Sequence, residues 1–122
     1  MSFGSGETDP SQPSGAVSRP LPVPAQVTFN RHELKRILDL YGRKVAAGEW
    51  RDYAIDFLKD RAVFSVFRRS SEQALYRIEK NPKLARRQGA YSVISATGLI
   101  VRRGHDLEPV LRAIDRKLAV VN

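Results

Sequence analysis

The chain has 122 residues, 42% hydrophobic and 28% charged, with a formal net charge of +8 at pH 7 and no cysteine. That length suits one domain and not two, the composition argues against wholesale disorder, and the lack of cysteine excludes disulfides, thiolate metal sites and a cysteine nucleophile. No apolar run approaches the roughly 18 residues of a membrane span, and Met1 leads into neither a secretion signal nor a myristoylation glycine, so no membrane contact and a cytoplasmic location are expected.

Residues 2–26 hold five of the seven prolines, Pro10, Pro13, Pro20, Pro22 and Pro24, among Ser and Gly. Such a segment buries too little apolar surface to offset its ordering entropy, which predicts a disordered tail over residues 1–26 and a single α+β domain over residues 27–122. From Val27 the pattern changes. Asn30 is a good N-cap, Glu33 stands where a capping box needs it, and Phe29 and Leu34 occupy the hydrophobic-staple positions. Leu34, Ile37, Leu38, Tyr41 and Val45 then recur at helical spacing, so the first helix is expected from Arg31 to Ala47, stopped by Gly48.

In DYAIDFLKDRAVFSVFRR the apolar period shifts towards 2, the mark of a hairpin. Tyr53, Ile55 and Phe57 share one face with Ala62, Phe64 and Val66, and Lys59 to Arg61 make the turn. The opposite face carries Leu58, Val63 and Phe67. Ser70 to Gln73 turn into a third strand, ALYRIEK, which Pro82 ends because proline has no N–H for the ladder. PKLARRQ reads as a loop or single helical turn closed by Gly89. Ala90 to Ser95 and Leu99 to Arg102 read as further strand segments around a Thr97-Gly98 turn or bulge. Asp106 is the expected N-cap of a second helix, in which Leu107, Val110, Leu111, Ile114 and Leu118 recur at helical offsets. The expected fold class is α+β, an antiparallel sheet of three to five strands with an N-terminal and a C-terminal helix packed on one face.

Catalytic motifs are missing. Neither the dinucleotide-binding glycine pattern nor the phosphate loop occurs. His32-Glu33-Leu34-Lys35-Arg36 begins like the zinc-protease helix, yet Arg36 stands where the second histidine belongs, which leaves His32 as an ordinary surface histidine. His105-Asp106 pairs an imidazole with an acid, but adjacent side chains seldom face each other. Asp52 and Asp56 share a strand face as a carboxylate pair would, and with Arg51, Lys59 and Arg61 close in sequence a solvated charge face explains them equally well. A non-enzymatic protein without cofactor or metal is expected.

Charge distribution is the positive signal. Residues 80–105 carry six bases, Lys80, Lys83, Arg86, Arg87, Arg102 and Arg103, and no acid. Clustered cations bind phosphates by counterion release. If the strands ending at Lys80 and at Arg102 have adjoining ends, these bases form one patch, with Arg68 and Arg69 as an extension. Tyr91 is the aromatic placed to stack on a base, ahead of Trp50 and Tyr53. Binding of RNA or DNA through this patch is the first functional expectation. The alternative is a homodimer or protein adaptor using an exposed apolar sheet face of Leu58, Val63, Phe67 and Leu75.

From Val27 to Leu118 the chain resembles a family of small alphaproteobacterial proteins classed as a domain of unknown function, most specifically in YRIEKNPKLARRQGAYSV. The resemblance implies a compact, cytoplasmic, single-domain bacterial protein with no assigned activity, cofactor or catalytic residue.

Overall fold

The computed structural model describes residues 26–69 and 73–115. The expected tail, most of the Ser70–Gln73 turn and the helical position of Leu118 lie outside them. Two helices and five strands follow in the order α1 (Arg31–Ala46), β1 (Asp52–Phe57), β2 (Ala62–Phe67), β3 (Tyr76–Lys80), a 3-10 turn (Pro82–Leu84), β4 (Tyr91–Ser95), β5 (Ile100–Gly104) and α2 (Leu107–Asp115).

Both halves of the capping box start α1. The Asn30 side chain accepts from the Glu33 N–H at 2.8 Å, and the Glu33 carboxylate accepts from the Asn30 N–H at 2.8 Å. Each bond satisfies a first-turn donor that the helix itself leaves unpaired. After the last turn the chain reverses at Gly48, whose φ of +77° suits a residue without Cβ.

The strands form one antiparallel sheet in sequence order, β1-β2-β3-β4-β5. The register sets Tyr53 against Val66, Ile55 against Phe64 and Phe57 against Ala62, as the alternation predicts. The row continues from Phe64 to Ile78 and from Ile78 to Val93. These side chains line one face, and Ile37 and Leu40 of α1 pack on it with Leu107, Val110, Leu111 and Ile114 of α2. Phe64, Ile37, Leu40, Ile78, Val66, Val93 and Val110 are fully buried, each contributing roughly 1.5–3 kcal/mol of gross apolar transfer. Arg36 pairs with Glu108, and Arg43 meets Asp115 at 2.9 Å, so ion pairs tie α1 to α2 at two levels.

The other sheet face is polar where an exposed apolar patch was expected. Alternation places Asp56, Val63, Glu79, Ser92 and Arg103 in one cross-strand row, and Arg77 lies 3.6 Å from Glu79. Val63 is only 6% exposed. Leu75 packs against the core cluster, Phe67 is half-buried, and Leu58 is exposed in the β1–β2 loop. The four therefore do not assemble into one exposed surface, because the turn residues flanking β1 and β3 leave the strict alternation that would align them.

Candidate functional site

One end of the sheet gathers the basic segment. Lys80 pairs with Tyr91, and Tyr91 with Gly104, so the ends of β3 and β5 flank the start of β4. The loop between β3 and β4 is closed at its base by the Asn81 N–H on the Ala90 carbonyl at 2.7 Å. Asn81 also accepts from the Lys83 N–H at 3.2 Å, and the Leu84 carbonyl accepts from the N–H groups of Arg87, Gln88 and Gly89 at 2.9–3.0 Å. The loop is thus a compact hydrogen-bonded turn. Gly89, at φ +100°, lies so close to β5 that a Cβ would stand 2.2 Å from the Gly104 carbonyl carbon. Only glycine admits this contact.

On that frame Lys83, Arg86, Arg87 and Arg102 are exposed, and among the described residues none has an acidic partner. Arg103 is half-buried; its Nη1 donates to the Gln88 side chain, and its Nε has no hydrogen-bond partner among the described residues. By contrast Lys35, Arg36, Arg43, Lys44, Arg61 and Arg77 all stand within 4.0 Å of a carboxylate.

Lys80 and Tyr91 leave the expected contact set. They share strand parity with Ile78 and Val93, so they point beneath α1 and not into solvent. The Lys80 ammonium donates to Glu33 at 2.7 Å and to the Thr28 carbonyl at 3.0 Å, and the Tyr91 hydroxyl donates to the other Glu33 oxygen. Burial pushes the Glu33 carboxyl up, but hydrogen bonds from Lys80, Tyr91 and the Asn30 N–H outweigh it and hold the group below its ordinary value. Tyr91 is pushed up to about 12, by burial first and then by the adjoining Glu33 carboxylate. Sequence reasoning accounted for Glu33 by its local capping bond alone. Its two partners 47 and 58 residues away left no local signal.

The other expectations are also relocated. Arg68 and Arg69 follow Phe67, which pairs with Asp52 at the far end of the sheet from Lys80, so they do not extend the patch. Trp50 is 5% exposed, and Tyr53 stacks on Phe64 with ring centroids 4.9 Å apart. Trp50 is thus buried, and Tyr53, though exposed, pairs with Val66 at the end of the sheet away from Lys80. Asp52 and Asp56 are exposed on the polar sheet face. Among the described residues no group of three or more His, Asp or Glu side chains is placed to hold a metal ion, and no helix is long and apolar enough to cross a membrane.

A family described as a protein of unknown function (DUF2794) matches residues 27–111. No curated protein and no solved structure matches the chain.

Proposed function

We propose that this chain, which belongs to the DUF2794 family of proteins of unknown function, is a non-enzymatic module that binds the phosphate backbone of nucleic acid through Lys83, Arg86, Arg87, Arg102 and Arg103. The observation that carries the reading is the unneutralised state of the four exposed cations on a hydrogen-bonded turn and the adjoining strand end. A cation already paired with a carboxylate must lose that partner before it can hold a phosphate. These four need lose nothing but water and counterions, whose release drives backbone binding. The turn is held by its own backbone bonds and by the Gly89–Gly104 contact, so the cations project from a preformed support. Arg103, on the polar sheet face with its Nη1 on Gln88 and its Nε buried, adds positive charge beside them.

Binding of a generic RNA and a duplex DNA to the full chain, at low and at physiological salt, tests the reading. The double substitution Arg86→Glu, Arg87→Glu is expected to abolish binding at low salt while leaving thermal unfolding unchanged. Failure of the unsubstituted protein to bind either nucleic acid at low salt, or binding indifferent to the double substitution, overturns it.

A further inference from the structure

Beside the basic turn, the first turns of α1 and α2 form the walls of a cleft of about 520 Å³ that holds both histidines of the chain, His32 and His105. Its volume falls within the range of small-molecule pockets. Accounting for each polar group gives it a character. Glu33 is committed to Lys80, Tyr91 and the Asn30 N–H, and Glu108 is committed to Arg36. Hydrogen bonding and charge from Arg36, with smaller contributions from the charges of Arg112 and His32, hold the Glu108 carboxyl below its ordinary value. These acids are neutralised in place. The lining side chains that make no hydrogen bond or ion pair among the described residues are His32, His105, Arg112 and Asp106.

Three of those four are donors, and two are imidazoles entering from different walls. Together with the Arg112 guanidinium they match an oxygen-rich anion, which accepts several N–H bonds at once. Two backbone donors, the N–H groups of Leu107 and Glu108, add to this side of the account because a helix leaves its first N–H groups without an internal acceptor. Pro109 has no N–H for the Asp106 side chain to cap, and no cap bond from Asp106 is formed. Asp106 is therefore the lining carboxylate that has no hydrogen bond or ion pair among the described residues. A ligand with hydroxyl groups away from its phosphate satisfies it while leaving every phosphate oxygen to the donors.

We infer that this cleft binds a hydroxylated phosphomonoester, with His32, His105 and Arg112 holding the phosphate and Asp106 accepting from a ligand hydroxyl. The ligand chemistry is shared by sugar phosphates and nucleoside 5′-monophosphates. None of the four residues belongs to the proposed nucleic-acid contact set, so the two sites stand or fall separately.

Calorimetric titration of the full chain with ribose 5-phosphate, a nucleoside 5′-monophosphate, the matching unphosphorylated nucleoside and inorganic phosphate tests the site and distinguishes the ligand sources. Saturable one-to-one binding is expected for the phosphomonoesters and not for the nucleoside. Arg112→Ala and His105→Ala, both at exposed positions, are expected to weaken it by about tenfold or more each. Asp106→Asn is expected to narrow the preference for the sugar phosphate over inorganic phosphate, and Arg86→Glu with Arg87→Glu is expected to change nothing. The inference is overturned if no phosphomonoester binds saturably, if the nucleoside binds as well as its phosphate, or if the loop substitutions remove binding that Arg112→Ala and His105→Ala leave intact. Equal affinity for ribose 5-phosphate and inorganic phosphate overturns the ligand class.

Discussion

Lys80 and Glu33 form an ion pair of 2.7 Å that joins the end of β3 to the first turn of α1, with their side chains 18% and 6% exposed. The pair is completed by bonds to Tyr91, Thr28 and Asn30, so removal of either partner leaves a charge in a place built for two. Glu33→Ala is expected to cost about 3 kcal/mol of stability in urea unfolding. Lys35→Ala, which breaks the 3.1 Å surface pair with Asp39 at 71% and 48% exposure, is expected to cost less than about 0.5 kcal/mol.

The same cluster sets two limits on stability against pH. Glu33 has its folded pKa depressed, so its contribution is complete above the ordinary carboxylate value of about 4.3 and is lost as pH falls through the lower folded value. Tyr91 has its folded pKa raised to about 12, so its contribution is complete below the ordinary phenol value of about 10 and is lost as pH rises from there through about 12. Spectrophotometric titration of the four tyrosines is expected to show Tyr41 and Tyr91 both ionising above the ordinary value, and Tyr91→Phe to remove the step at about 12. The difference in unfolding free energy between Glu33→Gln and the unsubstituted chain is expected to shrink as pH falls below the ordinary carboxylate value of about 4.3 and to vanish only below the depressed folded value.

Two glycines separate crowding from backbone conformation. Gly89 and Gly98 both have positive φ, +100° and +89°, but a Cβ at Gly89 meets the Gly104 backbone at 2.2 Å whereas one at Gly98 meets nothing within 4 Å. Gly98→Ala is expected to cost about 1–2 kcal/mol from φ alone, and Gly89→Ala about 3 kcal/mol or more. Thermal unfolding of the two variants gives the comparison. Because Gly89 anchors the basic turn, its substitution is also expected to weaken nucleic-acid binding.

If the four exposed cations each neutralise one phosphate, duplex DNA affinity is expected to fall with salt at a log–log slope of roughly −3.6. Arg86→Ala is expected to reduce the slope by about 0.9. Tyr91→Phe is expected to leave it unchanged, since Tyr91 is turned towards Glu33. Fluorescence anisotropy across a salt series reads all three.

Local rules carried most of the fold. The capping box at Asn30 and Glu33, the 3.6-residue period of α1 and the alternation of β1 and β2 are interactions between near neighbours, and the register follows them residue by residue. The ends of β3 and β5, expected to adjoin, lie at one end of the sheet but with the start of β4 between them. What the sequence concealed was direction. Lys80 and Tyr91 sit in a basic run and look like surface groups, but their parity with Ile78 and Val93 turns them under α1, and only the long-range partner Glu33 makes that orientation tolerable. Leu58 and Leu75 lie just beyond strand ends, where alternation no longer predicts the face. The meeting of His32 with His105 at one cleft depends on how α1 and α2 dock, which neither helix's own pattern encodes.

The sequential order of the strands has a consequence for how the molecule assembles. Each strand pairs with its neighbour in sequence, so the sheet can grow hairpin by hairpin with short loops to close. Docking of α1 against α2 joins residues 72 apart, as between Arg43 and Asp115, and carries the greater loop-closure cost. Helix docking is accordingly expected after the rate-limiting barrier. Leu111→Ala is expected to speed unfolding and leave the folding rate almost unchanged in stopped-flow kinetics, while Ile78→Val in the central strand slows folding. If helix docking is the late step, the two-histidine cleft, walled by the first turns of α1 and α2, is expected to be the last part of the molecule to form.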